Sequence, residues 1–336
     1  MQHYMLTQRL IKIKTNYKVW LNWYFGTCLL GCFLVSLLPW WPSTSIFVVF
    51  KYILLFAPRW LLFLVVLVLL FLWKHLSKAQ KYLLPLLFFI SIKYLDFGLH
   101  FNHSSHVEQH KTVKIITANI GEGGQISKIQ LLLKYYQPDI LLLQDANKRS
   151  LKKLSADYIH SECVGELCIM SKHPFERTNQ LTKAIFGGWG NSAVFYRVYL
   201  DESIINIANV HLQSVHSLLV DIAKRNVDFS DVMQIEDNKR IETGILSSWI
   251  KNEPYSLIVG DFNMPVEENI YQENFSMINN ALSDVGVGFN YTIKAYGLSL
   301  RIDHILFSNH FGIVDAQVIE SLGGDHLPVM ATLIIK

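Results

Sequence analysis

The sequence predicts an α/β fold, a sandwich of two packed mixed sheets flanked by helices, preceded by an N-terminal transmembrane helical region. Three observations point to it. Residues 1–110 hold ten Lys/Arg and two acids, Asp96 and Glu108, whereas residues 111–336 hold twenty Lys/Arg and twenty-five acids. The charge balance thus switches from +8 to −5 along the 336 residues, as it does where a membrane segment meets a soluble domain. The first part is built of long apolar runs; the second alternates short apolar runs with polar segments. Lastly, the short runs end again and again in an acid, an amide or an imidazole. Only 17% of the chain is charged, below the quarter or so of an average soluble domain. Aromatics make up 13%, enough apolar surface to exclude disorder.

Residues 23–41 carry no charge over nineteen positions, close to the roughly 20 that a spanning helix needs. Trp20, Trp23, Trp40 and Trp41 bracket them as an interfacial belt does. A second span is expected at 56–73, where Arg59 precedes fourteen uninterrupted apolar residues. A third, shorter one is expected at 82–95, with Lys93 placed to snorkel. Residues 42–55, broken by Pro42, Ser43–Ser45 and Lys51, read as interfacial or re-entrant. A cleaved signal peptide does not fit, because the first run is too long and lacks a small-residue cleavage site. Arg9, Lys12, Lys14 and Lys18 before the first span, and Lys74, Lys78 and Lys81 between the second and third, belong in the cytoplasm. Three crossings then put everything after residue 100 in the periplasm; two would put it inside. The protein is accordingly expected to be multi-pass, with the bilayer as a partner of its N-terminal helices.

Cys28 and Cys32 read as packing residues of the first span. Cys163 and Cys168 flank a tight turn, where an oxidising compartment permits a disulfide and free buried thiols are the alternative. His100, His103, His106 and His110 recur at helical spacing, but the segment is polar and Glu108 is its one acid. Residues 101–111 therefore read as a solvated linker and no metal site is assigned to them.

From 112 to 336 the elements follow in order. Residues 113–120 form a strand ending at Asn119, residues 125–136 have helical spacing, and Gln137–Pro138–Asp139 turns into the apolar strand 140–145. A strand buried on both faces reads this way. Further strands are expected at 168–170, 192–200 and 204–211, with Asp201–Glu202 as a hairpin turn, then a helix at 236–251. Strands at 256–263, 301–308 and 326–335 complete the set. Lys148, Arg149, Lys152 and Lys153 read as a solvated helix face.

The strand ends supply Asn119, Asp145, His211, Asp261 with Asn263, Asp303, and Asp325 with His326. One Asp or Asn at a strand end is an ordinary turn residue; so many together point to one shared rim. Hard oxygen donors such as Asp145 and Asp325 suit Mg²⁺ or Mn²⁺ rather than zinc. A metal, a carboxylate base and carboxylate-oriented imidazoles are what hydrolytic attack on a phosphoester requires.

With VKIITANI, DILLLQD, NVHL, GDFN, RIDHIL and GDHLP in this order, the segment resembles the endonuclease/exonuclease/phosphatase superfamily, of deoxyribonuclease I type. The resemblance covers about residues 112–336 and includes the arrangement of membrane-anchored bacterial members. It implies a four-layer α/β sandwich in which Asn119, Asp145 and Asp325 hold the metal. Asp261 would orient or deprotonate the attacking water, and Asn263 would position it or hydrogen-bond a phosphate oxygen. His326, oriented by Asp303, would contact the scissile phosphate, and His211 would bind it or protonate the leaving group. The carboxylate after Gln144 is normally Glu in this family; here it is Asp145, one methylene shorter.

The expected activity is Mg²⁺- or Mn²⁺-dependent hydrolysis of a phosphodiester, in nucleic acid, a phospholipid head group or a small molecule. A scaffold that kept the fold and lost the chemistry is the alternative, and its support is Asp145. Tight duplex binding is not supported by a domain of net −5, because phosphate neutralisation supplies most non-specific affinity. A transporter is excluded by the few spans and by the lack of intramembrane acids before Asp96.

Overall fold

The computed structural model describes residues 2–100, 111–121, 125–154, 158–294 and 299–336. His103, His106 and His110 lie outside the described residues. His100 Nδ1 donates to the carbonyl of Gly286 at 2.9 Å.

The N-terminal region contains helices α1 (Gln2–Ser36), α2 (Ser45–Leu55), α3 (Arg59–Phe71) and α4 (Lys78–Tyr94). A reciprocal Ser77–Gln80 cap starts α4, satisfying donors that a helix end leaves free. Helices α1, α3 and α4 pack around Leu21, Phe25, Cys28, Cys32, Val66, Leu69 and Leu87. Cys28 and Cys32 are buried free thiols, as a packing role requires. Outward, Trp23, Phe71 and Tyr82 are exposed. Among the described residues one helical stretch, Asn16–Ser36, is long and apolar enough to cross a bilayer; α2 and α3 qualify only as a pair bent by 71°. From Ser45 the 42–55 stretch is a helix with Ile46, Phe47 and Phe50 exposed on one side. It forms α2, and its Lys51 is fully buried against the following domain.

The rest of the chain begins with β1 (Phe97–Leu99), β2 (Thr112–Asn119), α5 (Ile126–Tyr136), β3 (Ile140–Gln144), α6 (Lys148–Leu154), β4 (His160–Val164) and β5 (Leu167–Ser171). The long middle section holds β6 (Phe175–Thr182), β7 (Asn191–Leu200), β8 (Ser203–His211), α7 (His216–Lys224), α8 (Phe229–Asn252) and β9 (Ser256–Asp261). It closes with α9 (Asn269–Phe275), β10 (Asn279–Asn280), α10 (Ala281–Val285), β11 (Val287–Phe289), β12 (Asp303–Phe307), β13 (Phe311–Val318) and β14 (Val329–Ile335). One six-stranded sheet has the order β10-β12-β9-β8-β7-β6 and the other β13-β14-β2-β3-β5-β4. Their inner faces meet in a core that includes Ile115, Leu142, Ile169, Val194, Ile207, Val259 and Ile305. Helices α5 and α6 cover the outer face of one sheet, and α8 and α9 that of the other. The fold is thus the four-layer α/β sandwich.

Both sheets mix parallel and antiparallel pairs. Cys163 and Cys168 face each other across the β4–β5 hairpin and are disulfide-bonded. Strands β6 and β13 were not legible as strands. Each is an edge strand, β6 largely exposed and β13 mostly half-buried, so the apolar alternation that marks a strand is weak in it. Strand β1 continues from α4 and pairs with β11. At Gly98 a Cβ would come within 2.2 Å of the Gly286 carbonyl oxygen, so the close approach of this junction requires glycine.

Candidate active site

Strand register places the site. His211 pairs with Asp261 across the parallel β8–β9 pair, and Asp303 pairs with Asp261 across β9–β12. Three of the expected residues therefore stand side by side at one end of one sheet. In the other sheet Asn119 pairs with Gln144, one residue before Asp145. The β8–β9 approach is so close that a Cβ at Gly260 would meet the Val210 oxygen at 2.1 Å, and Gly260 has φ +143°. The glycine of GDFN is a packing requirement at this point.

Asp261 is the hub, almost fully buried. Its Oδ2 accepts from Asn119 Nδ2 at 3.0 Å, which ties the two sheets together. Its Oδ1 accepts from the backbone N–H of Asn263 at 2.8 Å. The Nε2 atoms of His211 and His326 each lie 3.8 Å from Asp261 Oδ2, close enough to share a group placed between them. Asn263 sits at φ +50°, a left-handed conformation that Asn tolerates. Its Nδ2 donates to the Leu212 carbonyl at 3.1 Å.

His326 Nδ1 and Asp303 Oδ2 are 2.9 Å apart. Burial opposes charge on the His326 ring, but the carboxylates of Asp303 and Asp261 and this hydrogen bond outweigh it and push the imidazole up to about 10. Burial lifts the Asp303 carboxyl as well, so the two titrate as a unit that holds a proton on the imidazole at neutral pH. Asp261, Asp303 and His326 bring one donor atom each within 4.8 Å of one another. This geometry lets the trio share a proton or a small charged group among its three donor atoms.

Of the hard-oxygen donors expected from the sequence, Asn119 bonds Asp261, Asp145 faces His211 and Asp325 precedes His326; among the described residues Asp145 and Asp325 do not join the Asp261 cluster. Asp145 has φ +50° and a side chain 35% exposed, with Oδ1 3.4 Å from His211 Nδ1. Asp325 is exposed, and its negative charge reaches His326. Asn119 is buried, and its Oδ1 accepts from Gly121 N at 3.0 Å. Two accessible carboxylates and an amide are donors of the type that Mg²⁺ or Mn²⁺ takes. His211 Nδ1 is buried without a hydrogen bond, and the same holds for Asp303 Oδ1. An orphaned polar atom such as His211 Nδ1 at this rim fits a site that takes a polar ligand.

Several residues that shape the site were not found in the sequence. Asn209, buried in β8, donates to the carbonyls of Leu143 and Cys168 and accepts from Gln144 Nε2 at 2.7 Å. The signal was present: a polar residue in the middle of an apolar strand. His304 is fully buried; its Nε2 lies 3.0 Å from the Met264 carbonyl and its Nδ1 3.2 Å from Asn280 Nδ2. Burial and the nearby Arg301 push it down to about 3, so it is a neutral spacer behind the GDFN loop. Glu242 of α8 accepts from Gln213 N at 2.8 Å and so holds the chain just after His211. On the rim, Glu166 accepts from Asn191 N at 2.9 Å and its carbonyl binds Ala146 N. Glu166 thus links the residue after Asp145 to the residue after the Gly187–Gly190 turn, whose Trp189 is 95% exposed.

The profile of the Endonuclease/Exonuclease/phosphatase family matches residues 116–326. The chain belongs to that family. Its enzymes hydrolyse phosphoester bonds and generally depend on a divalent metal. No curated protein matches the chain. Among solved structures it is similar to an endonuclease/exonuclease/phosphatase from Bacteroides vulgatus, 16% identical with a TM-score of 0.51, over 67% of this chain and 100% of that one. The 3′ phosphatase NExo from Neisseria, bound to a product DNA hairpin, is 19% identical at a TM-score of 0.50, over 65% and 98%. A humanized D. rerio TDP2 is 16% identical at 0.51, over 66% and 98%. At such identities the likeness is one of fold.

Proposed function

We propose that the protein is a membrane-anchored phosphodiesterase that uses Mg²⁺ or Mn²⁺. The observation that carries this reading is the convergence on Asp261 of Asn119, His211 and the His326–Asp303 pair. Asn119, Asp145 and Asp325 would hold the ion, which when bound neutralises phosphate charge and favours attack on phosphorus. Asp261 takes the proton of the attacking water, Asn263 orients that water, and the new P–O bond forms as the ester P–O bond breaks. The His326 imidazolium, held by Asp303, contacts a phosphate oxygen and offsets the charge that builds up on it. His211 donates to the phosphate or protonates the leaving oxygen. Asp145 reaches less far than Glu, and it also supports a second reading, a scaffold with weakened catalysis.

The long apolar helix Asn16–Ser36 supports anchoring, and a multi-pass arrangement is part of this reading. Tyr17 of α1 and His75 of the α3–α4 turn are in ring contact at 5.2 Å, and Gln80 Nε2 donates to Asn22. The basic residues around these positions therefore gather at one end of the helix bundle. Tyr94 and the phosphoesterase domain are at the other end, which by the positive-inside rule is extracytoplasmic. The Cys163–Cys168 disulfide fits an oxidising compartment. Net charge of −5 disfavours duplex DNA, whereas a lipid head group or a small phosphodiester needs no basic groove. Trp189 stands at the rim, available to an apolar part of the substrate.

Incubating the detergent-solubilised full chain with plasmid DNA, single-stranded RNA, phospholipid vesicles and an activated phosphodiester, with Mg²⁺, Mn²⁺ or EDTA, tests the reading. Metal-dependent release from the vesicles or the small diester is expected, and little from the duplex. Preference for plasmid DNA would overturn the substrate assignment. Metal binding without turnover on any of the four would favour the scaffold.

A further inference from the structure

Four charged side chains are buried completely between α2 and the phosphoesterase domain: Lys51, Glu236, Lys239 and Glu268. Their charges cancel. Lys51 Nζ donates to both Glu236 oxygens and, at 3.1 Å, to Asn269 Oδ1; it lies 3.9 Å from Glu268. Lys239 Nζ donates to the two Glu268 oxygens at 2.9 and 3.0 Å and to the Asn263 carbonyl at 3.2 Å. Tyr52 donates to Glu268 Oε1 at 3.2 Å, and both ammonium groups lie over its ring, at 4.6 and 5.1 Å.

The neighbours of Glu268 are gripped in the same way. Arg59 makes a two-pronged contact with Glu267 at 2.9 and 3.0 Å. Asn269 Nδ2 donates to the Trp41 carbonyl and to Ser43 Oγ, at 3.2 and 3.0 Å. Three consecutive residues, Glu267–Asn269, which begin four positions after Asn263 of the GDFN loop, are thus held by the N-terminal helices. The loop itself is clamped at both ends of one residue, Asn263: its N–H by Asp261 and its carbonyl by Lys239. A simple tether needs none of this. Burying charge is costly, and a buried network that is fully paired fixes one geometry.

We infer that Lys51, Tyr52 and Lys239 are positioning residues for the active site, and that the N-terminal helices form a working part of the enzyme because they set the Asn263 loop through Glu268. The inference concerns the phosphoesterase reading above, but loop order is measurable without turnover.

Hydrogen exchange over residues 262–269 is compared in the full chain, wild type against Tyr52→Phe and Lys51→Met, alongside initial rates on an activated phosphodiester. Tyr52→Phe removes one hydroxyl and keeps the charges, so it tests the idea even where Lys51→Met folds poorly. Exchange in this loop should quicken by about tenfold or more while β2 and β14 stay protected. Displacement of Asn263 should lower kcat by about tenfold to a hundredfold, with KM changed far less. Unchanged exchange at 262–269, with opening confined to α2, would overturn the inference, because the network would then only fasten two parts together. An inactive wild type whose loop still loosens in the variants would sink the phosphoesterase reading and leave the positioning role standing.

Discussion

Two histidines two strands apart do opposite work because their surroundings differ. His326 has carboxylates on two sides and is held as a cation; His304 is sealed among Met264, Asn280 and aromatic rings and is held neutral. Only the first suits contact with a phosphate. The second has a consequence for stability. Unfolded, His304 takes a proton near pH 6.5; folded, it resists until about pH 3. Its neutral form therefore contributes stability that is complete above pH 6.5 and is lost as the pH falls towards 3, at about 1.4 kcal/mol per pH unit. Denaturant unfolding of a His304→Gln protein, followed from pH 7 to 4, should show a pH slope shallower than wild type by about one proton. Equal slopes would mean that His304 is not the group held neutral. In the sequence the two histidines look alike: each follows an Asp, and the difference lies in the partners that the fold brings to them.

At the scale of elements, the strands that carry the site were legible and the helix that supports it was only half so. Apolar strands closed by Asn119, Asp145, His211 and Asp261, and one opened by Asp303, show their pattern locally, and β pairing aligns these ends in register. Helix α8 buries Glu236, Lys239 and Glu242 on the face that also buries Val232, Leu246 and Ile250. Spacing of three residues between the charges places them on one side, but nothing in the helix itself shows that Lys51, Glu268 and Gln213 will meet them. A charged face of this kind reads as solvated. The β4–β5 hairpin carries its own prediction. The disulfide closes a loop with a sequence separation of 5, and such short loops stabilise modestly. Cys163→Ser/Cys168→Ser should lower stability by about 2 kcal/mol, read as a shift in the denaturant midpoint. No shift would indicate that the thiols are reduced in the working protein, and the argument for an oxidising compartment would lose its chemical support.

For the whole molecule, charge asymmetry announced two parts, and the sequence presents them as an anchor, a linker and an enzyme. The structure joins them more tightly. Strand β1 pairs with β11, Asp96 is bound by Arg301, and α2 packs on α7 and α8 through Tyr52, Leu55, Leu218, Val232 and Ile235. Contacts between residues about 200 positions apart leave no local periodicity, which is why they were not readable. They also explain why the full chain is the right object for functional work: cutting before residue 111 would leave Glu236 without its cationic partner Lys51 and Glu268 without the Tyr52 hydroxyl. The central claim is that the rim around Asp261 hydrolyses phosphodiesters with a divalent ion. Turnover of an activated phosphodiester by the EDTA-treated full chain, as Mg²⁺ is titrated back, tests it most directly, with a His326→Ala protein of unchanged thermal stability alongside. The expected result is a saturable rise in rate for the wild type and a rate lower by about two to four orders of magnitude for the variant. A rate indifferent to Mg²⁺, or equal in the two proteins, would contradict the account.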